Sequence, residues 1–267
     1  MVSNSFGAPE IGLVTPIAGQ PEKMVLMISP VCSGASLMLR AFAQAGYTSV
    51  AHPLKTALRW HHLGETRPWS IPTQGALFVA ESFGPYHRFE VEYDPLRACL
   101  ASGLDPERLS LVVLLRDPVE VWASWQSIWG NLARIEHLQS AYAMCRSTVH
   151  SARSLGCAVH ATHHRSCAVA TEKTMARLFQ SLGHDMAFGL ADLVPACQDD
   201  STRAPGVVRP IRPPRYDYLS DKPQSDLPCD TAPGQGVTER HRQDIAATII
   251  PDHMRALARA LADRPQN

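Results

Sequence analysis

An α/β fold, with a central parallel sheet of about five strands flanked by helices, is expected for this 267-residue chain. Short continuous apolar runs alternate with stretches of helical spacing, the pattern of strands buried on both faces and joined by helical crossovers. Several runs end in Ser, His, Glu or Arg, and parallel sheets gather such residues at one edge, where ligands bind. The length suffices for one substantial core, and 45% of the residues are hydrophobic.

The elements follow in order. Residues 1–22 mix Gly, Pro and Ser and read as a loose leader, which leaves 23–267 as a single domain. Met24 to Ser29 is the first strand; Leu37 to Ala45 then has the apolar spacing of a helix, with Gly46 as a C-terminal stop. Tyr47 to Ala51 is the second strand, closed by His52-Pro53, and Leu54 to Leu63 continues as a helix on which Lys55, Arg59 and His62 are neighbours. Ala76 to Ala80 is the third strand and delivers Glu81 at its end. Asp94 to Ser102 reads as a helix. Leu109 to Leu115 is the strongest strand; it ends in Arg116-Asp117-Pro118, and Val119 to Leu132 has helical spacing. A helix of about 20 residues runs from there to Leu155. Cys157 to Thr162 is the fifth strand, and Ala170 to Leu182 is a helix closed by Gly183. Residues 195–236, rich in Pro, Asp, Ser and Arg, read as a long loop or lid. Thr238 is the expected N-cap of a C-terminal helical stretch with a kink at Pro251.

Lys plus Arg equals Asp plus Glu, 25 of each, so the net charge is zero, which argues against a general nucleic-acid binder. No apolar run approaches the roughly 18 residues of a membrane span. No basic segment followed by an apolar stretch opens the chain, so no secretory signal is expected. The seven cysteines never fall in CxxC spacing; they read as reduced, mostly buried thiols of a cytoplasmic protein. No metal site is expected: of His160, His163 and His164, strand alternation turns His163 away from the other two, and no carboxylate or cysteine completes a shell by spacing. Trp122, Trp125 and Trp129 form one helical stripe, read first as core packing.

The chemistry lies at the strand ends. Ser33, Gly34, Ala35 and Ser36 are small residues at a helix start, where exposed N–H groups and the helix dipole favour an anion. A tight turn with Ser33 as N-cap is the competing reading. The loop has no Gly-Lys-Ser/Thr, and Cys32 stands where a phosphate binder would usually place a cation. Arg116, at the end of the strongest strand, suits bidentate contact with a phosphate, and Ser124, eight residues on, suits completion of the oxygen shell. Cys32 could act as a nucleophile only with a histidine partner that the spacing does not identify.

Together the strand–CSGAS–helix and the strand-Arg-Asp-Pro with Ser124 resemble the sulfotransferase family, which uses 3′-phosphoadenosine 5′-phosphosulfate as donor. The later stretch AVHATHHRSCAVATEKTMARLFQSLG is also similar to the family's strand, loop and helix, with His163-His164 where many members have Tyr-Glu. The resemblance covers roughly residues 24 to 185 and implies a sulfotransferase fold of the P-loop type, with no metal required. It implies that Cys32, Ser33, Gly34, Ala35, Ser36 and Leu37 form the phosphosulfate loop, and that Arg116 and Ser124 hold the 3′-phosphate. The family's loop cation is missing, and Lys55, Arg59, Arg40, Arg209, Arg212 and Arg215 are candidate substitutes; Arg212 and its neighbours are equally candidates for the 3′-phosphate. Glu81 is the leading candidate base for the acceptor proton, followed by His52 and His87; Glu81 could instead cap a helix or pair with an arginine. The implied partner is a small-molecule hydroxyl or amine acceptor, with no nucleic acid and no membrane; a homodimer is left open. Two alternatives remain: a repurposed or inactive member that binds a nucleotide or other anion, and a small-molecule kinase.

Overall fold

The structure, a computed structural model, describes residues 12–184, 206–213 and 236–262. Its strands are β1 (Lys23–Pro30), β2 (Thr48–Ala51), β3 (Ala76–Phe83), β4 (Leu109–Leu115), β5 (Ala158–His163) and β6 (Val207–Val208). Its helices are α1 (Ala35–Gln44), α2 (Pro53–His62), α3 (Pro95–Ala101), α4 (Pro118–Trp129), α5 (Ile135–Ser154), α6 (His164–Val169), α7 (Thr171–Ser181), α8 (Glu239–Ala246) and α9 (Ile250–Ala262). The strands make one sheet in the order β5-β4-β1-β3-β2-β6, and every pairing is parallel.

β1 lies at the centre, and Met24 to Ile28 are fully buried. Its alternating side chains feed two cores. Met24, Leu26 and Ile28 pack with Leu54 and Leu58 of α2, Leu96 of α3, Val149 of α5 and Leu257 of α9. Val25 and Met27 pack on the other face with Phe42 of α1 and Phe179 of α7. Each such side chain contributes about 1.5–3 kcal/mol by leaving water, so this double burial fixes β1 and everything attached to its end. A third cluster, built on Trp122, Trp125 and Trp129 with Leu138, Tyr142, Ile245 and Ile250, sits against Val31 and Cys32 beyond the end of β1.

The connection from β1 runs toward β2 on one side, while that from β4 runs toward β5 on the other. The two neighbouring strands therefore part at their carboxyl ends, the position where open α/β sheets bind ligands. The residues following β1 and β4 are the CSGAS loop and Arg116.

The expected parallel sheet of about five strands is present, with a short sixth: Val207–Val208, inside the stretch read as an aperiodic lid, pairs with Ser49 and Val50. Other expectations are corrected. Of that stretch, residues 195–205 and 214–235 lie outside the described residues, as does Arg215. The leader is not loose over residues 12–22. Leu13 and Val14 are buried, the Trp69 N–H donates to the Leu13 carbonyl at 2.7 Å, and the Ile17 N–H donates to the Ser102 carbonyl at 3.0 Å. Pro251 does not kink one helix. It occupies the first turn of α9, where a missing N–H costs nothing, and residues 247–249 separate α9 from α8. His164 begins α6 and does not continue the strand face of His160. Thr238 does cap α8, accepting from the His241 N–H.

Candidate functional site

The loop after β1 is shaped by two residues with positive φ, Cys32 at 68° and Gly34 at 98°. Gly34, and not Ser33, is the N-cap of α1, and no side chain caps that helix. Gly34 has two reasons to be glycine. Its φ suits a residue without Cβ, and a Cβ there would lie 2.8 Å from Cδ2 of the His164 ring. The first turn of α1 carries no acidic side chain, so its amides and dipole remain oriented for an anion. Within this curl the Ser33 hydroxyl is 1% exposed and makes no hydrogen bond. A buried hydroxyl without a partner costs free energy unless a ligand or water completes it. Ser36 is exposed at the loop mouth, Ala35 and Leu37 are half-buried, and Arg40 Nε donates to the Ser36 carbonyl at 3.4 Å.

Arg116 is 2% exposed and joins the two strand ends. Its Nη1 donates to the Cys32 carbonyl at 2.5 Å and its Nε to Glu120 Oε2 at 3.2 Å. The local sequence dictates this. Asp117 caps α4 by accepting from Val119 N–H, Pro118 starts the helix, and Glu120 comes one turn after Arg116. Ser124 follows one turn further, where its hydroxyl donates to the Glu120 carbonyl at 2.9 Å. Arg116, Glu120 and Ser124 thus share one side of the β1/β4 crevice. Trp125 supports the same loop, since its indole N–H donates to the Val31 carbonyl at 3.0 Å. The tryptophan stripe is core packing, as expected, and also supports the loop after β1.

On the other side of β1, the end of β3 carries a buried ionic network. Glu81 is fully buried; its Oε1 accepts from the Leu54 N–H at 2.7 Å and its Oε2 from the Tyr93 hydroxyl at 2.6 Å. It therefore caps α2. Burial drives its pKa up from 4.5 to about 7, against the lowering effects of Tyr93, Leu54 and Lys55. Lys55, 4% exposed, points its ammonium at the Ser82 and Gly84 carbonyls, 2.7 and 2.5 Å away. Those carbonyls flank Phe83, whose own carbonyl accepts from Val31 N–H at the start of the CSGAS loop. Burial brings the Lys55 pKa down to about 7. Arg59 Nε donates to Glu90 at 2.6 Å, and Glu90 also accepts from Tyr86 N–H at 3.0 Å. His87 stacks on Phe89 at the outer rim of this segment, with ring centroids 5.2 Å apart.

The raised pKa of Glu81 makes a stability prediction. Between 4.5 and about 7 the folded protein binds more protons at Glu81 than the unfolded chain, so this residue's contribution falls as pH rises through that window. Glu81→Gln removes the dependence. Urea unfolding at about pH 5 and pH 8 should show the variant gaining on the wild type as pH rises. A pH-independent difference would count against the buried, protonating carboxyl.

Further along the edge, His52 is the N-cap of α2, with φ at 52°, and its Nδ1 is buried without a hydrogen-bond partner. Burial first, then the charges of Lys55, Arg212, Arg59 and Arg209, hold its pKa well below 6.5. The charge of Arg212 is thus felt at His52, at the end of β2. Three strand positions separate that place from Arg116 and Ser124, about 14 Å at the usual spacing.

Glu90, Tyr93 and His164 were not singled out as site residues by sequence, because their partners lie on other elements and no periodicity marks them. The only signal was the His163-His164 pair at a strand end. Among the cysteines, Cys99 and Cys145 are buried thiols whose pKa burial pushes up. No helix among the described residues is long and apolar enough to cross a membrane.

No family model matches the chain, and no curated protein sequence matches it. Among solved structures it is similar to the sulfotransferase domain of the Synechococcus PCC 7002 olefin synthase, with a TM-score of 0.52 at 15% identity over 94% of this chain and 98% of that one. A mouse sulfotransferase, SULT7A1, complexed with PAP, gives a TM-score of 0.47 at 9% identity over 94% of this chain and 86% of that one. At such identities the likeness to the olefin synthase domain speaks to architecture: the chain has the sulfotransferase fold.

Proposed function

We propose that this protein transfers a sulfuryl group from 3′-phosphoadenosine 5′-phosphosulfate to a hydroxyl or amine of a small molecule. The observation that carries this reading is the Ser33 hydroxyl, buried and without a partner inside the uncapped start of α1, at the parting of β1 and β4. The α1 amides, Ser33 and Ser36 are assigned to the phosphosulfate. Arg116 and Ser124 are assigned to the 3′-phosphate, Arg116 by turning part of its guanidinium from Glu120 and Cys32 toward the phosphate. Lys55 is assigned the charge that Cys32 cannot supply, because its ammonium is held one strand away, against the carbonyls around Phe83.

In the reaction the acceptor oxygen or nitrogen attacks sulfur, a new S–O or S–N bond forms, and the bond to the bridging phosphate oxygen breaks. The electron pair leaves on the phosphate of adenosine 3′,5′-bisphosphate. The acceptor proton passes to Glu81, whose pKa of about 7 suits proton transfer near neutrality and whose oxygens each keep a second lone pair.

Calorimetric titration with adenosine 3′,5′-bisphosphate tests the donor assignment. The wild type should bind, and Arg116→Ala should bind about 10- to 100-fold more weakly, the worth of losing charge-assisted hydrogen bonds. Absence of binding by the wild type would refute the donor assignment. A second reading, an anion-binding protein without transfer activity, is favoured by Cys32 at the position of the expected loop cation. It predicts the same titration but no sulfated product from radiolabelled donor with any acceptor pool.

A further inference from the structure

We propose that Tyr93 is the positioning residue for Glu81: its hydroxyl holds one carboxylate oxygen and favours the ionised, proton-accepting form. Its part in transfer rests on the reading above, in which Glu81 is the base; the hold of one side chain on the other does not.

The geometry begins with β3. Glu81 pairs in register with Ile28 of the central strand, and its side chain is fully buried. Two donors reach the carboxylate from different elements. The Leu54 N–H, in the first turn of α2, donates to Oε1 at 2.7 Å, and the Tyr93 hydroxyl donates to Oε2 at 2.6 Å. Tyr93 stands two residues before α3, where Asp94 caps the helix by accepting from the Arg97 N–H and Pro95 begins it. Val91, Tyr93 and Leu96 are buried in the same core as Phe83, which follows Glu81 by two residues. The rings of Phe83 and Tyr93 meet edge to face, with centroids 5.3 Å apart. Apolar packing therefore fixes the Tyr93 ring, and the hydroxyl is free only to turn about its C–O bond. The two oxygens of Glu81 are thus pinned from two sides.

The chemistry gives the two donors different standing. A buried carboxylate has lost its water, and each hydrogen bond to the charged form favours that form. The Leu54 amide would be present whatever residue stood at 54; the Tyr93 hydroxyl is particular to tyrosine. Lys55, on α2, adds an opposite charge that also favours ionised Glu81. On α3 the Cys99 thiol is held protonated by burial and by Glu81, so it brings no competing charge. Burial and Glu81 likewise push the Tyr93 pKa well above 10, with Glu90 adding to them and Arg59 opposing. Tyr93 is therefore a neutral donor throughout the range in which Glu81 titrates. Phenylalanine at this position removes one oxygen and leaves Lys55, Cys99, Glu90 and Arg59 in place.

The test compares the full chain with Tyr93→Phe. The first readout needs no ligand: glutamate labelled with 13C at the carboxyl is titrated by NMR, and the resonance missing from Glu81→Gln belongs to Glu81. Its midpoint should lie about one pH unit higher in Tyr93→Phe than in the wild type, the worth of a hydrogen bond to a charged group. The second readout is the pH profile of transfer from radiolabelled 3′-phosphoadenosine 5′-phosphosulfate to phenol, benzyl alcohol or benzylamine. The acid limb should move up by the same interval, so that kcat/KM near pH 6 falls about tenfold, while affinity for adenosine 3′,5′-bisphosphate stays within about twofold. A residue that only packs would move neither midpoint, and an unmoved Glu81 resonance or an unmoved acid limb would overturn the proposal. Should Tyr93→Phe not fold, 3-fluorotyrosine at the same position keeps the ring and makes the hydroxyl a stronger donor. The Glu81 midpoint should then move to lower pH, and an unmoved one would again overturn the proposal. Absence of sulfated product from the wild type counts against the transfer reading, and an acid limb that persists in Glu81→Gln counts against Glu81 as base. In either case the NMR titration still decides the hold of Tyr93 on Glu81.

Discussion

Glu90→Ala should lower the unfolding free energy by about 3–5 kcal/mol, the cost of stranding buried charge. Glu90 is fully buried, and Arg59, 7% exposed, donates to it at 2.6 Å. Lys55 lies within the same field. Burial alone would raise the carboxyl's pKa, but Lys55, Arg59 and the Tyr86 N–H outweigh it, and the net shift is downward. Removing the carboxylate takes from Arg59 its ion-pair partner, from Lys55 one of its nearby opposite charges and from the Tyr86 N–H its acceptor. A depressed carboxylate pKa also sets the pH dependence: the contribution is present above the unfolded value and is lost as pH falls through the folded one. Urea unfolding at neutral pH should show a lower midpoint with little change in slope. The double variant Glu90→Leu/Arg59→Leu should recover much of the loss, because two apolar side chains strand no charge. A loss under about 1 kcal/mol in Glu90→Ala would mean that the network adds nothing beyond a surface pair. Since α2 carries Lys55 and Arg59 on neighbouring turns, this ion pair also holds Lys55 in place over the end of β3.

Sequence alone revealed the elements whose own side chains decide them. Met24 to Ile28 and Leu111 to Leu114 are apolar throughout because both faces of a central parallel strand are covered. Arg116-Asp117-Pro118 marked a strand end and a helix start because a capping Asp and an N-terminal Pro do the same work in any fold. β6 was not legible: two valines among Pro and Arg have no period, and their strand exists only because Ser49 and Val50 offer an edge. Leu13 and Val14 are likewise isolated apolar residues, buried through contacts made with residues far along the chain. At the loop, Ser33 and Gly34 are both common N-caps, so sequence could not choose between them. The positive φ of Gly34 and the approach of His164, 130 residues later, decide in favour of Gly34 and leave the Ser33 hydroxyl buried without a hydrogen-bond partner. Sequence also named Lys55, Glu81 and His52 individually. Their separate stations on β3 and β2, and the anchoring of Lys55 by carbonyls beside the loop, needed the strand order.

On the proposed transfer reaction, Lys55→Met should reduce sulfuryl transfer about 10²- to 10³-fold, the usual loss on removing a preorganised charge from a developing anion. Affinity for adenosine 3′,5′-bisphosphate, which has no sulfuryl group, should change far less. The argument is positional. Cys32 stands in the loop after β1 where the sulfotransferase pattern that this chain resembles carries a cation, yet the adjacent strand end holds a buried ammonium against the carbonyls on either side of Phe83. Cys32→Arg offers a guanidinium from the loop itself, so the double variant should regain about tenfold or more over Lys55→Met. Charge restored from a different direction would separate an electrostatic role from a packing one, since arginine at residue 32 cannot refill the space left at residue 55. The pH profile gives a further signature. Burial brings the Lys55 pKa down to about 7, so its charged form is lost as pH rises past that value. Burial brings Glu81 up to about 7, so its basic form is lost as pH falls below it. The wild-type rate should therefore peak near neutrality and decline on both sides. In Cys32→Arg the guanidinium stays charged throughout, and the alkaline limb should flatten while the acid limb, set by Glu81, remains. An alkaline limb unchanged in Cys32→Arg, or transfer by Lys55→Met at the wild-type rate, would assign the leaving-group charge to another residue.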